Sequence, residues 1–139
     1  MTSIRIVLDT NVLHAGLYSS RGASHLVLRA LETGKVKPVI STALLFEYED
    51  ILTRKKRELN LSNSKIESIL NNLCRISAHH EVYFLWRPCL SDPDDDHILE
   101  LAVASGTEFI VTFNKKDFKG SETYGVKVIT PKELLEKIK

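Results

Sequence analysis

Five short apolar runs, at 4–8, 37–40, 82–86, 109–112 and 126–129, are separated by stretches whose apolar residues recur at helical spacing. That alternation constrains the fold more than any other feature, because parallel strands cannot be joined by tight turns and need crossovers, usually helices. Helices are expected at 23–33, closed by Gly34, at 42–52 behind the capping hydroxyls of Ser41-Thr42, and at 62–76, where Ile66, Ile69, Leu70 and Leu73 share a face. Further helices are expected from Asp92-Pro93 to near Gly106 and from Pro131 onward. A turn or helix begins at Thr10, which completes the order β-α-α-β-α-α-β-α-β-β-α. This order implies a three-layer α/β/α sandwich with a mostly parallel central sheet. Its 139 residues carry no repeat, linker or low-complexity tract, so residues 1–139 read as one domain.

The balance of 19 Lys and Arg against 18 Asp and Glu excludes gripping nucleic acid by bulk charge, so any such contact must be local. Two cysteines, Cys74 and Cys89, without C-x-x-C spacing or a secretory leader, point to a reducing cytoplasm. No apolar run reaches the ~20 residues that cross a bilayer, so no membrane role is expected. His79-His80 with either cysteine lacks zinc spacing, and neither a Ser-His-Asp order nor a Gly-rich phosphate loop is present.

In an open parallel sheet ligands bind beyond the carboxyl ends of the strands, which makes the acids there informative. Asp9 directly follows the most apolar run, Ile4-Arg5-Ile6-Val7-Leu8; its competing reading is a cap on the turn or helix that starts at Thr10. In Ser91-Asp92-Pro93-Asp94-Asp95-Asp96-His97, Asp92 and Asp94 serve as ordinary capping acids. Asp95 instead shares a helical stripe with Ile98, Leu99 and Ala102, and the alternative for it is a capping box. Glu47 and Glu49 border the apolar arc of their helix from opposite sides, and the helical wheel does not choose between them. Asn114 and Asp117 follow the 109–112 run and leave the same sheet edge as Asp9, although both are also common turn residues. Carboxylates crowded at one edge repel, and hard Mg²⁺ or Mn²⁺ relieves that repulsion while activating water for attack on phosphorus. Phosphodiester hydrolysis is the natural chemistry.

Four segments in order, Val7-Leu8-Asp9-Thr10-Asn11-Val12-Leu13, Ser41-Thr42 through Glu47-Tyr48-Glu49-Asp50-Ile51-Leu52, Asp92-Pro93-Asp94-Asp95 through Leu99-Glu100-Leu101-Ala102, and Ile110-Val111-Thr112-Phe113-Asn114-Lys115-Lys116-Asp117-Phe118, resemble the PIN-domain family, specifically its bacterial toxin components. The resemblance implies a Mg²⁺- or Mn²⁺-dependent endoribonuclease acting on single-stranded RNA. It selects Glu47 over Glu49 and implies Asp9, Glu47, Asp95 and Asp117 as the catalytic acids, with Asn114 joining them around the metal. Many members carry Asp where this chain has Asn114, so a weaker second metal position is implied. A cognate antitoxin protein and a homodimeric state are the partners expected on this reading.

The basic run Arg54-Lys55-Lys56-Arg57 reads as a solvated helix end or as a hold on the RNA backbone, with Arg21, Lys115 and Lys116 as further contacts. A receiver-like phospho-acceptor would want an acidic pair after the first strand, and Asp9 stands alone. The competing class is a catalytically weak interaction or RNA-binding module that keeps the fold.

Overall fold

A computed structural model describes residues 4–82 and 96–139. The elements run β1 (Ile4–Leu8), α1 (Thr10–Tyr18), α2 (Ala23–Glu32), β2 (Val36–Ile40), α3 (Thr42–Arg54), α4 (Asn63–Ile76), β3 (Ala78–His79), α5 (Asp96–Ser105), β4 (Phe109–Val111), β5 (Lys127–Ile129) and α6 (Pro131–Lys137). Two 3₁₀ turns, Lys115–Phe118 and Ser121–Tyr124, lie between β4 and β5. The expected strand at 82–86 falls, beyond Val82, outside the described residues, as do Cys89 and Asp92 to Asp95. A strand at Ala78–His79 was not expected from the sequence; its two residues pair with Val39 and Ile40.

The sheet has the order β3-β2-β1-β4-β5, and every described pairing is parallel. β1 is central because Ile6, Val7 and Leu8 are all buried, as a strand covered on both faces requires. α5 lies against β1, β2 and β4, while α2 reaches β2 and packs on α6. This is the α/β/α sandwich expected. No helix among the described residues is long and apolar enough to cross a membrane.

The chain leaves β1 toward β2 and β3, then returns to the other side of β1 for β4 and β5. The order therefore reverses between β1 and β4, and a crevice at their carboxyl ends is the standard ligand position of such sheets. The register pairs Leu8 with Val111, so the next residues, Asp9 and Thr112, leave the sheet side by side.

α1 and α2 approach closely because position 16 has no side chain. A Cβ on Gly16 would stand 2.6 Å from Leu28 Cδ1, 2.9 Å from Leu28 Cγ and 3.0 Å from the Ser24 carbonyl. Gly16→Ala should therefore destabilise by about 1–2 kcal/mol despite the better helix propensity of alanine. Chemical denaturation of Gly16→Ala, Leu28→Ala and the double variant checks this. The Gly16→Ala loss should shrink or reverse in the Leu28→Ala background, and an equal loss in both would place the clash elsewhere.

Candidate active site

Asp9 connects β1 to α1 and is nearly buried. Its backbone N–H continues the ladder by donating to Val111 O at 3.0 Å. Its side chain caps α1, with Oδ1 accepting from the Thr10 N–H at 2.8 Å. The capping reading is thus realised, and it occupies only one carboxylate oxygen. Oδ2 accepts from the Thr112 hydroxyl at 2.7 Å, and Thr112 is fully buried at the end of β4.

Thr112 is the hub of this edge. Its Oγ1 also accepts from Asn11 Nδ2 at 3.3 Å and from the Asn114 N–H at 3.0 Å. One hydroxyl therefore joins the start of α1, the acid after β1 and the loop after β4. Beneath them the buried Tyr48 of α3 donates to Leu8 O at 2.5 Å, tying α3 to the last residue of the central strand.

That tie aligns α3 so that Glu47 faces the same edge. Its Oε1 accepts from the Thr10 hydroxyl, which also contacts Asp9 Oδ1, both at 3.5 Å. Its Oε2 meets Nε2 of His97, in the first turn of α5, and because a carboxylate only accepts, that ring nitrogen is the donor. Glu49 turns away into a groove of about 480 Å³ between α3 and α4, beside Leu45, Phe46, Ile66 and Cys74. The two acids that the helical wheel left equivalent thus face different neighbours.

Burial raises the Asp9 carboxyl above its ordinary range; the hydrogen bonds from Thr112 and Thr10 oppose the rise, and the charge of Glu47 adds to it. Tyr48 is pushed well above the usual phenol value by burial first, then by Asp9 and Glu47. Both shifts describe a partly desolvated pocket with an excess of negative charge.

The other expected site residues are placed differently. Asn114 is exposed, and the described contacts reach Thr112 through its backbone. Asp117 is half-buried in the first 3₁₀ turn, its N–H donating to Asn114 O at 3.0 Å, and neither side chain bonds to Asp9 or Glu47. Asp95 lies outside the described residues. Among the described residues no three His, Cys, Asp or Glu side chains group around one point. The Asp9 and Glu47 donor set still suits a hard cation, since Mg²⁺ is commonly held by one or two carboxylates plus water and substrate oxygens. Thr112, Thr10 and His97 were not singled out from the sequence, although Thr112 follows directly once β4 is placed beside β1.

Several of the basic residues noted in the sequence are committed to neighbours. Arg54 pairs with Asp50 at 2.9 Å, Lys55 with Glu58 at 3.8 Å, and Lys56 donates to Asn63 at 3.3 Å. Lys115 pairs with Glu133 at 2.6 Å, and that bond is the first reason the Glu133 carboxyl falls to about 2.

A raised Asp9 carboxyl means that the folded chain keeps its proton at a pH where the unfolded chain has released it. Its favourable contribution is complete below the ordinary value of 3.8 and is lost as pH rises through the folded value, leaving a cost at neutral pH. Asp9→Asn should raise the neutral-pH thermal midpoint, and the gap should close in acid. Calorimetry across pH checks this; a lower midpoint for Asp9→Asn at neutral pH would mean that the hydrogen bonds outweigh burial.

No curated protein matches the chain. A family model of the PIN domain matches residues 5–116 of the 139, a stretch that holds Asp9, Thr10, Glu47, His97 and Thr112 and stops just short of Asp117. With well over half its length matched and its acids at the crevice of a parallel sheet, the chain belongs to the PIN-domain family, whose members are generally nucleases.

Proposed function

We propose that this chain is a Mg²⁺- or Mn²⁺-dependent endoribonuclease that cuts single-stranded RNA, and that it is the cytoplasmic toxin of a toxin–antitoxin pair. The observation that carries the reading is the pairing of Asp9 with Glu47 at the β1/β4 crevice of a PIN-domain chain. Their oxygens would hold the cation, with Asp95 as a third acid and Asp117 and Asn114 as further ligands. A divalent ion held there would supply an activated water for attack on phosphorus and positive charge for the leaving oxygen.

The chain's own residues prepare that site. Thr112 and Thr10 fix the Asp9 carboxylate, and His97 fixes one oxygen of Glu47, so neither acid needs to reorganise when a ligand arrives. Tyr48 fills the space below and keeps water from the end of the central strand. A cognate antitoxin and a homodimeric state belong to the same proposal; co-purification with the product of the neighbouring gene tests that part.

Cleavage of an unstructured RNA by the purified chain tests the chemistry. It should require Mg²⁺ or Mn²⁺, stop with chelator, and fall by about a hundredfold or more in Asp9→Asn and Glu47→Gln. Thr112→Val, which keeps the volume and removes the hydroxyl, should cost about tenfold. Glu49→Gln should leave the rate unchanged. Cleavage that persists in chelator, or that depends on Glu49 and not on Glu47, would overturn the assignment.

Asn114 supplies a separate expectation. Asn114→Asp should lower the Mg²⁺ concentration for half-maximal cleavage, because an added carboxylate strengthens attraction for the cation. An unmoved midpoint together with inactivity of Asp117→Asn would assign the fourth acid position to Asp117 alone.

A further inference from the structure

Phe113 is a large apolar side chain 49% exposed, and it sits between two residues of the active-site network. An exposed apolar residue needs no explanation by itself, and Tyr18, which stacks on His14, and Phe46, which lines the groove between α3 and α4, have neighbours of their own. Phe113 differs in position and in rigidity. The preceding residue, Thr112, is buried and bonded to Asp9; the following residue, Asn114, returns its N–H to the same Thr112 hydroxyl. The backbone that carries the ring is therefore clamped from both sides by the group that orients the acid. Three residues on, Lys116 is exposed beside Lys115, whose charge is already committed to Glu133.

We propose that Phe113 is a stacking platform for a nucleobase of the single-stranded substrate next to the scissile phosphate, with Lys116 beside it for the backbone. This rests on the nuclease reading above and extends it to how the strand is held. Two independent needs meet here. Thr112, the residue before Phe113, is bonded to Asp9, so the bases next to a phosphate held at Asp9 come within reach of this loop, and an unpaired base has an exposed π-face that an aromatic ring covers without reading its sequence. A duplex keeps its bases stacked inside, so the same ring favours single strands. The clamped backbone lowers the ordering cost of the contact.

The test measures KM and kcat on an unstructured oligoribonucleotide carrying a fluorescent purine analogue beside the cleaved bond. Phe113→Ala should raise KM about tenfold, leaving kcat and the metal midpoint unmoved, since the ring binds the strand and holds no metal. Phe113→Trp should restore KM and the stacking quench of the analogue; Phe113→Leu, apolar without a π-face, should restore neither. An unpaired strand with an abasic site at that position should bind wild type as weakly as the intact strand binds Phe113→Ala. Unchanged KM in Phe113→Ala, or rescue by leucine, overturns the stacking proposal while metal-dependent cleavage keeps the nuclease reading intact. Absence of any Asp9-dependent cleavage by wild type overturns both. Because Phe113 is half exposed, the thermal midpoints of these variants should match wild type; a fall in midpoint with a parallel fall in kcat assigns the ring to folding and also overturns the proposal.

Discussion

A carboxylate taken out of water at the end of the central strand is the constraint around which this molecule is arranged. Asp9 would be a liability in a core, yet it is accommodated by two short hydrogen bonds from Thr10 and Thr112 and by its place at the N-terminus of α1. Those bonds do not cancel the cost of burial, because its carboxyl still sits above the ordinary range. A positive charge placed beside the carboxylate would offset that residual cost. Glu47, held nearby by Thr10 and His97, increases it.

The sheet order makes that arrangement possible. Because β1 lies between β2 and β4, the acid that follows β1 has a neighbour on each side: α3 delivered after β2, and the loop delivered after β4. Tyr48 couples the first neighbour to the strand end and Thr112 couples the second. α5, which packs across β1, β2 and β4, brings His97 to the same edge. A change at Thr112 would thus disturb the acid, the start of α1 and the Phe113 loop together.

How far the sequence revealed this depends on the range of the interactions. β1 was legible because three consecutive buried apolar residues mark a strand covered on both faces, and Asp9 was legible because it ends that run. Ala78–His79 was not, since two residues carry no periodicity and their strand character comes from pairing with Val39 and Ile40. The 3₁₀ turns after β4 are too short for a helical pattern. Glu47 and Glu49 were equivalent on the wheel because the wheel records the helix and not its neighbours; α1 and α5 lie on one side of α3 and α4 on the other. Asp9 realises its capping reading through Oδ1, while Oδ2 accepts from Thr112, a partner that no sequence pattern marks. Thr112 and His97 were hidden because a hydroxyl or imidazole acquires meaning only from what the fold places against it.

If the Asp9 and Glu47 pocket is a preformed site for a hard divalent cation, thermal unfolding with added Mn²⁺ reveals it without any substrate. A ligand that binds only the folded chain raises its stability with concentration, by about 2.7 kcal/mol at a hundred times the dissociation constant. Mn²⁺ should raise the midpoint of the wild type progressively and leave Asp9→Asn, which starts from a higher midpoint, unmoved. An equal Mn²⁺ shift in both proteins, or none in the wild type, would contradict such a site.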